Sequence, residues 1–482
     1  MKKTTGVIAV IVVLGAGYAG TTWYMGKRIQ SEYERVIATA NERMKEFAGI
    51  GQPASAPSLA LTSYDRGFFS SEAVYTITAT AEEGKPLEFR LHDHISHGPF
   101  PVTALKAGKP APMLADITSQ LVSTPSVQPW FDAVTNKNQP PLHAATYLGF
   151  SGTGQSVWTV EPASFSQEGV AVELSGGAFT IDLSNQYQNT DTKGKFGSVV
   201  AVDEEAGDTM RVANIEFAGT SEQAEEKSVR THNRATVESV VIENPDKDTV
   251  TLKNLAMQVN GEQKGDLIDA TVAYTFGSIQ SGAAELGSVS VNGELKRLDI
   301  KAFVDLGNTY DAMMVRQGVT SPDDLDLTPE DEAVLREKSL ALLKPNPLVT
   351  AGPIIWKNSS GQTEAMLALD MVEPKEGDAA AGFDVLLPQI VKKADLNVSV
   401  SKSMMVQAFS QTGTDDAERE QLAAMGGMLY DQYVSRLQGL GFVSVQDDTA
   451  KLGIVYEKAM FNVNGKTMTP EEFMQRAIML AM

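Results

Sequence analysis

A chain of 482 residues, 42% hydrophobic and 21% charged, is long enough for two or three domains and too apolar to be disordered. Its formal net charge of −21 argues against nucleic acid as a partner, because that binding rests on clustered Lys and Arg that displace counterions. With no cysteine, the chain has no disulfide, thiolate nucleophile, zinc-thiolate site or lipidated-Cys anchor.

The first element is an uncharged run of 23 residues between Lys3 and Lys27, which as a helix spans about 35 Å and crosses a bilayer core. Trp23 and Tyr24 fall at its far end, where amphipathic rings favour headgroups, and Lys2 with Lys3 favours a cytoplasmic N-terminus. A cleaved secretory signal is the rival reading, with Gly17 and Ala19 placed as a peptidase site would want them. The apolar run continues past that site to a stop-transfer length, which favours a retained anchor over residues 1–26. Both readings put the bulk of the chain outside the cytoplasm.

From Lys27 to Phe47 the residues Ile29, Tyr33, Val36, Ile37, Ala40, Met44 and Phe47 form one helical stripe. The stripe could pack on the body of the protein, on a second copy or on the membrane surface. A linker, Gly49 to Ser58, follows, with Pro53 and Pro57 breaking the helix, so residues 27–58 form a juxtamembrane segment.

Beyond Leu59 the period changes to two. Ala73, Tyr75, Ile77 and Ala79 alternate with other residues, as do Ile268, Ala270, Val272 and Tyr274, and again Leu298, Ile300, Ala302, Val304 and Leu306. Val-Asn-Gly recurs at 259–261, 291–293 and 463–465, and Asn-Gly between alternating runs signals a hairpin turn. A β-rich domain over 59–320 is expected, followed by an α+β region over 321–482. In the latter, Thr328, Pro329 and Asp331 cap one helix, a second runs from Asp416 to Gln438, and Thr469, Pro470 and Glu472 cap a third. That third helix is expected to bury Phe473, Met474, Ala477, Ile478 and Ala481, and strands are expected over 394–400 and 442–463. The fold class is α+β, an N-terminal transmembrane helix ahead of an extended antiparallel sheet, with helices concentrated in the C-terminal third.

Three of the five histidines lie in LHDHISHGPFP. On a strand His92 and His94 point the same way and could share a metal with His97 if a bulge intervenes, while Asp93 faces the other side. The competing reading is a set of polar strand residues hydrogen-bonding beside a turn at Gly98 and Pro99. Tyr64, Arg66, Gly67 and Phe69 form either a partner-binding knob or a buried Arg paired with an acid amid core aromatics. Ser399 and Lys402 make a Ser-x-x-Lys by spacing alone, with no supporting motif, and no P-loop, zinc-protease helix or dinucleotide fingerprint occurs. The methionine pairs Met313–Met314 and Met404–Met405, with Met425 and Met428, read as core filler, although Met-lined grooves suit flexible apolar ligands. No cofactor is indicated and the chain is read as non-enzymatic.

Tyr64-x-Arg66-Gly67-x-Phe69-x-Ser71 and His97-Gly98-Pro99-x-Pro101 resemble two motifs of the YdgA family of Gram-negative envelope proteins. The resemblance implies an inner-membrane, single-pass protein whose bulk faces the periplasm, self-associating as a homo-oligomer, with no established activity and no catalytic residue to carry over. The meandering sheets are also similar to envelope proteins of the AsmA type, which are linked to lipid handling. The expectation is thus a membrane-anchored scaffold or lipid-contacting module; the alternative is a metal-dependent hydrolase using His92, His94 and His97.

Overall fold

The computed structural model describes residues 41, 57–66, 70–80, 86–97, 102–106, 108–111, 113–167, 169–225, 228–319, 321, 324–374 and 388–481. The anchor run with Lys3, Trp23, Tyr24 and Lys27 lies outside the described residues, as do Gly67, Phe69, Gly98, Pro99 and all of the striped segment except Asn41. Among the described residues no helix is long and apolar enough to cross a membrane. The chain divides into two compact units, 1–235 with 304–327, and 236–303 with 328–482.

The first unit is an antiparallel sheet built largely in chain order. Its elements are β1 (Ser58–Arg66), β2 (Ser70–Thr80), β3 (Pro86–His97), α1 (Val102–Lys106), β4 (Ala115–Val122), α2 (Gln128–Ala133), β5 (Leu142–Leu148) and β6 (Gly154–Val160). They continue as β7 (Ala163–Gln167), β8 (Val170–Leu174), β9 (Gly177–Ser184), β10 (Asn189–Asp203) and β11 (Thr209–Glu225). Strands β1 to β6 pair successively, β6 passes to β9, and β10 pairs with β9 over its first half and β8 over its second. Period-two alternation fixes which face is apolar, because a one-residue slip would turn every side chain over. Ala73, Tyr75 and Ile77 are buried as the alternation predicts, and with Ile95, Ile117, Trp158 and Ile181 they form one core. Trp158 lies parallel to Phe179 with ring centroids 5.9 Å apart. At the first strand, Asn41 adds two hydrogen bonds: its amide nitrogen donates to the Leu59 carbonyl and its oxygen accepts from the Leu59 N–H, both at 2.9 Å.

A long strand, β12 (Ser228–Asn244), precedes β13 (Lys247–Lys264), β14 (Leu267–Ser281), β15 (Ala284–Asp299), α3 (Ile300–Gln317) and α4 (Pro329–Ala341). Then come β16 (Leu348–Asn358), β17 (Gly361–Met371), β18 (Val391–Ser401), α5 (Lys402–Ser410), α6 (Asp416–Gly439), β19 (Ser444–Gln446), β20 (Thr449–Glu457), β21 (Met460–Val463), β22 (Lys466–Met468) and α7 (Pro470–Ala481). In the second unit β13 to β18 pair in chain order, all antiparallel, and β18 passes to β20. The far edge of β20 is shared by β19 and β21. No apolar side chain of β13 to β18 is fully buried.

Strand β15 pairs with β16 from Ser288–Lys357 to Lys296–Leu348, so strand pairing continues on both sides of residue 320. Three expectations are corrected. The alternation from Leu298 to Leu306 is not a strand: Asp299 accepts the Ala302 N–H at 3.0 Å and starts a helix whose apolar residues also satisfy three- and four-residue spacing. Of the Val-Asn-Gly copies only 463–465 turns the chain, with positive φ at Asn464 (48°) and Gly465 (87°), as a two-residue hairpin requires. The other two lie inside β13 and β15, where cross-strand pairing outweighs local turn preference. On α7, Phe473 and Ala477 pack inward, but Met474 and Ile478 are exposed, because only one side of the helix meets the core of Phe442, Val463 and Met468.

Candidate functional site

An apolar groove lies in the second unit, where α5 and α6 cross one face of β18 and β20. Local signals build its walls. Ser401 caps α5 by accepting the Met404 N–H, and Asp415 caps α6 by accepting the Glu418 N–H at 2.8 Å. Asp448 accepts from the Ser403 N–H and from the Ser401 and Ser403 hydroxyls, and the Ser403 hydroxyl bond leads in holding its carboxyl below the usual carboxylate range. Gly426 lets the two helices close together, since a Cβ there would sit 3.1 Å from the Phe409 side chain.

Spacing then assigns the lining. Val398 pairs with Leu452 and Val400 with Ala450, so alternate residues of two neighbouring strands make the floor. Met405 and Phe409, four apart, line it from α5, while Leu429, Tyr433 and Leu437 with Tyr430 and Val434 line it from α6. The cavity measures about 360 Å³, within the range of small-molecule sites. Tyr430 does not give it a polar handle: its hydroxyl donates to the Val400 carbonyl at 3.1 Å and accepts from the Ala450 N–H at 3.0 Å. Burial raises the Tyr430 phenol above its ordinary pKa. At the α6 surface Lys402 pairs with Asp431 at 2.7 Å, and Met425, Met428 and Tyr433 are exposed. The arrangement can hold a flexible apolar chain, and none of its lining groups is placed for acid, base or nucleophilic chemistry.

The residues singled out in the sequence fall elsewhere. His92 and His94 share the outer face of β3, and both meet Glu72 of β2, at 3.0 and 2.6 Å, one on each carboxylate oxygen. His97 ends β3 and its side chain lies outside the described residues. Among the described residues no group of three His, Cys, Asp or Glu side chains could hold a metal ion. Asp93 does face the opposite side and is buried, near Tyr75, whose phenol is raised by burial first and by the Asp93 charge second. Tyr64 packs against the core of the first unit, whereas Arg66 is exposed rather than buried. Ser399 pairs with Glu364 and Lys451, on the sheet face opposite the groove floor. Met313 and Met404 are core filler, while Met405 lines the groove. The groove itself was out of reach of sequence reading except through those methionines, because its residues lie on four elements and a connecting segment spread over 398–452.

Fold and site together define an antiparallel-sheet protein with an apolar cleft in its second unit. Over residues 1–471 the chain matches the family described as bacterial protein of unknown function, DUF945, and it belongs to that family. It is 25% identical to protein YdgA of Escherichia coli (strain K12) over 497 aligned residues, covering 98% of this chain and 96% of that one. The uncharacterised protein YihF of the same strain is also 25% identical, over 99% of this chain and 98% of its own. An uncharacterised protein of Haemophilus influenzae is 19% identical over 64% of this chain and 86% of its own. The YdgA-family resemblance of the two short motifs is thereby shown for the whole chain. No solved structure matches it.

Proposed function

We propose that this protein is a non-enzymatic, membrane-tethered envelope protein whose C-terminal unit binds an apolar chain. The observation that carries the proposal is the groove beneath α6, whose lining is apolar throughout and whose one enclosed hydroxyl, on Tyr430, is engaged by sheet backbone. A cavity without a polar anchor selects for hydrocarbon, since a ligand bearing buried polar groups would leave them unpaired. The tether reading rests on the uncharged run between Lys3 and Lys27, and self-association rests on the striped segment and on the family resemblance.

Binding is tested on the full-length chain with a fluorescent fatty acid. Saturable uptake is expected, and filling the groove by Val434→Trp should weaken it about tenfold while the melting temperature is kept. Uptake that is absent, or unchanged by the filled groove, sinks the proposal. For the tether, membrane fractionation with external protease digestion of spheroplasts should leave a protected N-terminal fragment; a chain wholly released into the soluble fraction contradicts it.

A further inference from the structure

The geometry points to the groove being the deep end of a longer apolar track that crosses the sheet of the second unit, occupied by an alkyl chain of a membrane lipid. This rests on the proposed function and extends it.

Register carries the track. Val398 of the groove floor pairs with Ala365, Ala365 with Ile354, Ile354 with Val291, Val291 with Tyr274, and Tyr274 with Met257. Six side chains from six neighbouring strands therefore stand in one row on one face, and at about 4.8 Å per strand the row spans roughly 24 Å. The adjoining row on that face, Val259, Val272, Gly293, Ala351, Leu367 and Leu396, is uncharged as well. On the opposite face the corresponding positions are Asn260, Thr271, Glu294, Thr350, Ala368 and Asp395, five of them polar or charged. The sheet is thus two-sided in chemistry, and its apolar side is incompletely covered: Met257 is 37% exposed, Tyr274 41% and Ile354 42%.

Three arguments select the occupant. Strands β14 to β18 are each paired along both edges, so a peptide finds no free backbone to extend as an added strand. The large apolar side chains most exposed on this face, Met257, Tyr274 and Ile354, present on the order of 250 Å², against roughly 800 Å² per partner in a stable protein interface, which favours a slender ligand over a second copy. An uncharged face longer than one bilayer leaflet, about 15 Å of hydrocarbon, accommodates an extended alkyl chain along the row, and its open side leaves a headgroup in water.

The test uses the full-length chain in an amphipathic polymer and displaces a fluorescent fatty acid with lysophosphatidylcholines of 10 to 18 carbons, and in parallel with free alkanoates of the same lengths. Affinity should rise two- to fourfold per added methylene up to 18 carbons. Replacing Met257→Gln, Tyr274→Gln and Ile354→Gln together should weaken the 18-carbon lipid at least tenfold and the 10-carbon lipid less than twofold. Equal wild-type affinity at 10 and 18 carbons, which needs no variant to fold, overturns the track and leaves the groove standing. Loss independent of chain length in the triple variant overturns it too, and displacement by alkanoates alone overturns the membrane lipid as occupant. No displacement at any length removes the groove reading itself, and the track with it.

Discussion

Two runs of antiparallel strands of similar chemistry, one in each unit, end in opposite states. In the first unit the alternating apolar residues of β2 to β6 and of β9 form a buried core, with Ile95, Ile117, Trp158 and Ile181 at most 1% exposed. In the second unit β13 to β18 alternate as cleanly, yet none of their apolar side chains is fully buried. Alternation therefore specifies which face is apolar but not whether the chain itself covers that face. Where it does, the apolar face contributes stability; where it does not, the same pattern leaves apolar side chains partly open to solvent.

The comparison breaks most readily at Trp158. Trp158→Ala should cost about 3–5 kcal/mol, read by chemical denaturation of the full chain, and a loss under 1 kcal/mol would mean the first core is not sealed. Next, the two isoleucines test the contrast directly. Ile181→Ala should cost about 2–5 kcal/mol, whereas Ile354→Ala, removing methylenes that already touch water, should cost less than about 1 kcal/mol. Equal losses would erase the distinction between the units.

A smaller effect concerns the hydrogen bonds that hold the start of α5. Asp448→Ala should destabilise by about 1–2 kcal/mol at neutral pH, with the groove lost at lower denaturant than in the wild type. Because the Asp448 carboxyl is held below its ordinary range, its contribution is complete above the unfolded pKa and fades as pH falls through the folded one. The wild-type minus variant difference should accordingly shrink only in acid; a difference that grew in acid would contradict the assignment. The smallest expected effect is at His92. His92→Gln, removing one of two imidazoles on the half-exposed Glu72, should change stability by less than about 1 kcal/mol in a melting experiment.

Legibility followed the range of the interaction. The capping box of Thr328 and Asp331 and the reciprocal bonds of Thr469 and Glu472 appear where the residue types placed them, because each is complete within four residues. Strand β14 and the opposed faces of His94 and Asp93 were equally readable from period two. The helix at Ile300 was not, since five alternating residues satisfy both periods and the Asp299 cap decides between them. Nor were the Asn-Gly sites in β13 and β15, where neighbouring strands hold as extended backbone a dipeptide that alone would turn.

The sequence by itself determined the family, the uncharged run at the N-terminus, the β-rich body and the helix caps, all of which depend on residues close together in the chain or on composition. Tertiary structure alone decided that Glu72 lies between two histidines, that Tyr430 spends its hydroxyl on strand backbone, and that Val398 stands in line with Met257. Those outcomes depend on the register between strands far apart in sequence, and register is set by the summed pairing of whole strands rather than by any residue in them.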